Sequence, residues 1–146
     1  MHPEEYLMLI KRLNMLINNE LLDKEQLFTL ATKTTQELDD MPHASGTSDK
    51  VGNIAVKIME KEQEIDHIID VLVDLREEIK AQIRTLPDNE CDVLFKYFVL
   101  DMKLGEIANE MHYCVDWIKR LKNKGVYRIK VVESEAYKTA CKLLKI

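Results

Sequence analysis

Six cations crowd into residues 115–130: Lys119, Arg120, Lys122, Lys124, Arg128 and Lys130, against a single acid, Asp116. Long cationic side chains grouped on one short helical stretch can neutralise phosphates, and Asn123 among them adds an amide suited to base edges. Other chemistry is poorly provided for. His112 and Cys114 could supply two metal ligands, but a structural zinc takes four and no second pair lies nearby. His2, His43 and His67 have no partners at ligand or triad spacing, and there is no Walker-type GxxxxGK[ST] run, no GxSxG elbow and no HExxH. Cys91, Cys114 and Cys141 are odd in number and widely separated, which points to reduced, mostly buried thiols rather than a disulfide framework. The expectation is a non-enzymatic protein without a cofactor or a metal.

The charge is unevenly placed. Residues 1–95 carry 10 Lys+Arg against 20 Asp+Glu, a net of −10, whereas residues 96–146 carry 11 against 6, a net of +5. An acidic arm followed by a basic module is the polarity of a DNA-binding end attached to something else. With 46% hydrophobic residues but only 4 Gly and 3 Pro, the 146-residue chain suits a single helical domain, or one domain with an extended arm. No apolar run approaches the roughly 18 residues of a membrane span, and no basic-then-apolar signal segment opens the chain, so a cytoplasmic location without membrane contact is expected.

Several elements must position these cations. Leu7, Ile10, Leu13, Ile17 and Leu21 recur at steps of three and four, predicting a helix over residues 4–22 with Pro3 in its first turn. Asp23 and Glu25 are expected to restart a weaker helix over residues 25–38, because ATKTT is rich in β-branched residues. DDMPHASGTSDKVGN then predicts a loop over about residues 39–50. From about residue 50 to residue 86 the periodicity is strongest: Ile58, Ile65, Leu72, Ile79 and Leu86 fall seven apart, with Ile68 and Leu75 three residues after Ile65 and Leu72. This is a coiled-coil seam interrupted at Lys61 and Gln82. So long a helix must bury its stripe against the N-terminal helix as an antiparallel hairpin, against a second copy as a homodimer, or both. Pro87 ends it. Shorter helices are predicted over residues 89–100, 104–111 and 115–124, and a final one over residues 126–146. The expected architecture is all-α, a helical hairpin or coiled-coil arm (residues 1–86) followed by a helix-turn-helix bundle (residues 87–146).

LGEIANEMHYCVDWIKRLKNK, residues 104–124, fits a helix-turn-helix, in which a short helix and tight turn precede a helix whose exposed face reaches the major groove. Ile107, Ala108 and Met111 would face inward from the first helix and Val115, Ile118 and Leu121 from the second. Asp116, Trp117, Lys119, Arg120, Asn123 and Lys124 would then lie on or near the outer face as the DNA-binding set, although Trp117, the only tryptophan, is better suited to packing than to DNA contact.

The run LPDNECDVLFKYFVLDMKLGEIANEMHYCVDWIKRLKNKGVYRI resembles the region-four type of sigma-factor helix-turn-helix, with Glu106, Ile107 and Ala108 as its EIA and Lys119 with Arg120 as its basic pair. The upstream segment, and MPHASGTSDKVGN most specifically, resembles phage and prophage transcriptional regulators of the RinA/ArpU type. That resemblance implies binding of double-stranded promoter or operator DNA by the second helix, together with contact to RNA polymerase. Three positions depart from the pattern: Lys103 and Cys114 replace the usual Ser or Thr caps, and His112 replaces the turn Gly. Two further readings are a helical adaptor or inhibitor that binds polymerase or a phage protein without touching DNA, and a terminase small-subunit-like packaging protein.

Overall fold

The computed structural model describes the backbone of residues 1–40 and 47–146, and the side chains of residues 1–33 and 52–146. All regular structure among the described residues is helical: α1 (Pro3–Asp40), α2 (Thr47–Ile83), α3 (Asp88–Leu94, continued as a π-helical turn over Phe95–Val99), α4 (Leu104–Met111), α5 (Val115–Arg128) and α6 (Glu135–Leu144). The chain is thus all-α, with two long helices preceding four short ones. No helix among the described residues is long and apolar enough to cross a membrane.

The break expected near Asp23 does not occur, and α1 is continuous. Asp23 does not cap a new helix, because its carboxylate is taken by Lys61 at 3.0 Å. Thr29 and Thr32 donate their hydroxyls back to the carbonyl oxygens of Glu25 and Phe28 at 3.1 and 3.0 Å. That local bonding lets hydroxyl-bearing residues sit inside a helix. Half of the loop expected over residues 39–50, residues 41–46, lies outside the described residues; residues 39–40 close α1 and residues 47–50 open α2.

The described residues form two compact units, one of Met15–Ile69 and one of Met1–Asn14 with Asp70–Ile146. This division differs from the boundary at residues 86/87 read from the sequence. The first turns of α1 bury Tyr6, Leu7, Leu9, Ile10 and Leu13, and the last turns of α2 bury Val71, Leu75, Ile79 and Ile83, so both helix ends are built into the core of the unit that holds α3–α6.

In the Met15–Ile69 unit, α1 and α2 face one another as a hairpin. Ile17, Ile65 and Ile68 are buried there, Ile58 is half-buried, and Leu21, expected on the apolar face, is 44% exposed. The seam interruption at Lys61 has a tertiary cause. Its ammonium reaches Glu20 at 2.6 Å and Asp23 at 3.0 Å, with Glu64 at 3.8 Å, while Lys24 pairs with Glu62 at 3.1 Å. Hydrogen bonds from Lys61 to Glu20 and then Asp23 raise its pKa above the ordinary 10.5. A raised folded value means that this contribution is whole below 10.5 and is lost only as the pH climbs through the higher folded value. Lys61→Met is therefore expected to lower stability by about 1 kcal/mol, equally at pH values of about 6 and about 9, read by chemical denaturation.

In the other unit, Gln82 interrupts the seam for a different purpose. Its side-chain amide brackets the backbone of Lys130, accepting from the Lys130 N–H at 3.0 Å and donating to its carbonyl oxygen at 2.8 Å. Gln82 thereby pins the segment between α5 and α6 to α2. α2 ends at Ile83, earlier than the expected Leu86: Thr85 and Leu86 donate to the third residue back rather than the fourth, and Pro87 follows in an extended conformation. The single final helix expected over residues 126–146 is instead the end of α5, an irregular stretch, and α6. Ser134 caps α6 by accepting from the Tyr137 N–H at 3.1 Å, and its hydroxyl donates to Glu78 at 2.7 Å. An N-cap Ser starts a helix by satisfying one of its free N–H groups.

Candidate nucleic-acid interface

The candidate interface is the outer face of α5. Its inner face is set by Ile118, Leu121, Gly125 and Val126, all buried; Ile118 and Leu121 join Val93, Ile107 and Ala108 in the core of the module. Met111 and Trp117 pack against that cluster as half-buried groups. Leu94, fully buried on α3, lies so close to Gly125 that a Cβ there would meet its Cδ1 at 2.7 Å and its Cγ at 2.9 Å. Only glycine permits this approach of the two helices.

The turn between α4 and α5 occupies three residues, 112–114. His112 takes the left-handed conformation (φ 60°, ψ 38°), and the Tyr113 N–H donates to the Ala108 carbonyl oxygen at 3.1 Å. Neither Lys103 nor Cys114, at the N-cap positions of α4 and α5, supplies a side-chain hydrogen bond. Cys114→Ser is expected to stabilise the protein by about 1 kcal/mol, because a hydroxyl there can accept from the first free N–H groups of α5. His112→Gly, which removes the strain of a Cβ at positive φ, should add a similar amount of about 1 kcal/mol. Thermal melts of the two single variants, each a few degrees above the parent, check both.

The residues expected to contact DNA divide into two groups. Asp116, Lys119, Arg120, Asn123 and Lys124 are all exposed. Trp117 is not on the free face: its ring packs on the core cluster, with the Lys124 ammonium 5.7 Å from its centroid. Val115, expected in the buried stripe, is 40% exposed because it starts the helix before α5 meets its neighbours. Ile107, Ala108, Ile118 and Leu121 occupy the buried positions read for them.

The six cations also divide. Lys122 turns inward, 3.1 Å from Glu4 and 4.5 Å from the centre of the Tyr97 ring. Arg128 lies 3.4 Å from Glu90, a carboxylate only 6% exposed whose Oε2 has no hydrogen-bond partner; the contact is an ion pair without hydrogen-bond geometry. Lys119, Arg120, Lys124 and Lys130 remain at the surface. Sequence reading missed Tyr127, which is 88% exposed. It stands four residues after Asn123 and seven after Arg120, and that helical spacing places it on the same face.

The cysteines differ from expectation: Cys114 is exposed, and Cys91 and Cys141 are half-buried. Burial pushes the Cys91 thiol above its ordinary value, with Asp92 and Asp88 adding to the shift. Among the described residues no group of His, Cys, Asp and Glu could hold a metal ion.

No protein-family model, curated protein or solved structure matches the chain.

Proposed function

We propose that this protein is a DNA-binding transcriptional regulator of the phage or prophage type, non-enzymatic and cytoplasmic, that engages duplex DNA through α5. One observation carries the reading. A face bearing Lys119, Arg120, Asn123, Lys124 and Tyr127 is open to solvent on a helix whose opposite face is locked into the core. A rigid helix with cations and an amide on its free side suits the major groove: Lys119 and Lys124 contact phosphates, while Arg120 and Asn123 reach base edges. Lys130, exposed just beyond the end of α5, is placed for a flanking phosphate. Contact with RNA polymerase is carried over from the family resemblance.

The test is a gel-shift titration of the whole protein against its own upstream region and unrelated duplex, at increasing salt. A complex that prefers the upstream fragment and weakens steeply with salt supports a regulator. No complex even at low salt sinks the DNA reading and leaves the helical adaptor.

A further inference from the structure

The hairpin of the Met15–Ile69 unit leaves a groove of about 600 Å³ lined by Leu21, Lys24, Glu25, Phe28 and Thr29 of α1 and by Glu62 of α2, which pairs with Lys24 at 3.1 Å. Its apolar walls are Leu21, 44% exposed, and Phe28, 64% exposed. Large apolar side chains grouped in a concave surface mark a contact site. The Thr29 hydroxyl is already bonded within α1 to the Glu25 carbonyl oxygen, so the groove contains no hydroxyl that a partner must satisfy.

The order of the lining residues says what fits. Leu21, Lys24, Glu25 and Phe28 stand at helical positions i, i+3, i+4 and i+7, a single face. The pattern is its own complement when read backwards. If a second α1 is laid antiparallel about a two-fold axis between positions 24 and 25, Leu21 meets the partner's Phe28, Lys24 meets the partner's Glu25, and each pair occurs twice. An isologous two-fold contact requires this kind of self-complementarity. Lys24 is already paired with Glu62 of its own hairpin, and its ammonium can serve a second carboxylate from the partner, as that of Lys61 serves more than one.

We infer that a second copy of this chain docks antiparallel along the α1 groove, burying Leu21 and Phe28 and exchanging Lys24–Glu25 ion pairs across the dyad. The contact lies along the edge of the α1–α2 seam, where Lys24 and Glu62 meet, and it does not depend on the DNA reading.

Sedimentation velocity of the full chain, from low to high micromolar concentration, tests it. The parent is expected to form a concentration-dependent dimer, and Phe28→Glu to raise its dissociation constant about a hundredfold, as for loss of a central aromatic anchor. Lys24→Glu, which sets like charges opposite one another, should weaken the dimer by about tenfold. Lys24→Glu/Glu25→Lys should restore most of that loss, because opposite charges again face across the dyad. Circular dichroism on each variant separates loss of the dimer from loss of the fold. A monomeric parent at every concentration, a Phe28→Glu dimer as tight as the parent, or a double swap no better than the single one overturns the inference.

Discussion

The double substitution Lys119→Ala/Arg120→Ala is expected to weaken DNA binding by about one to two orders of magnitude and to flatten its salt dependence, while leaving the melting temperature nearly unchanged. Every phosphate left without its cation takes about 0.9 off the slope of log affinity against log salt. Removing the bidentate base contact proposed for Arg120 should cost a further 1–3 kcal/mol or so of discrimination, so any preference for the upstream fragment over unrelated duplex should be lost. Stability is spared because both side chains are exposed and make no ion pair or hydrogen bond among the described residues. Lys122→Ala serves as the contrast. It sacrifices the Glu4 pair and the Tyr97 ring contact, so it should lower stability by about 1 kcal/mol while leaving the salt slope as it was. Gel shifts at several salt concentrations with a thermal melt of each variant decide the matter. If Lys122→Ala and the double variant behave alike, the assignment of inward and outward cations is wrong.

Gly125→Val is expected to destabilise the protein by about 3 kcal/mol, equivalent to about 10 °C in melting temperature. The Cβ alone would lie 2.7–3.4 Å from three atoms of Leu94, and Leu94 is fully buried, so it has no free volume into which to retreat. Inserting bulk into a filled core costs about 1–3 kcal/mol, and the two γ-methyl groups put valine at the upper end of that range. Replacing a helical glycine would otherwise return about 1 kcal/mol of backbone entropy. Gly105 supplies the control: a Cβ added there would have nothing within 4 Å, so Gly105→Ala should be stabilising by about 1 kcal/mol. Denaturation of the two variants should therefore move in opposite directions. A Gly125→Val protein as stable as the parent would mean that α3 and α5 are not in close contact.

The parts of the molecule legible in the sequence were those governed by local rules. Apolar spacing placed α2, α4 and the start of α5 within a few residues of where they lie, since burial of one face imposes that period. Pro87 marked the end of the long helix because it cannot donate to the helical ladder. Continuity of α1 was obscured because the helix is held across residues 23–32 by interactions that propensity does not count. These are the Lys61 ion pairs and the threonine hydroxyls bonded back along the chain.

Residue types and short spacings were enough to establish the all-helical character, the three-residue turn before α5 and the concentration of cations in residues 115–130. Which of those cations are free was settled only by packing between elements far apart in the chain. Lys122 and Lys124 are two residues apart and chemically identical, yet one is drawn inward by Glu4, near the opposite end of the sequence, and the other remains at the surface. The same holds for Gln82, a seam defect until the Lys130 backbone is seen to lie against it, and for Tyr127, whose exposure depends on what packs around the end of α5. Side-chain direction follows from the helix period, but the partner that each direction meets is set by elements distant in the chain.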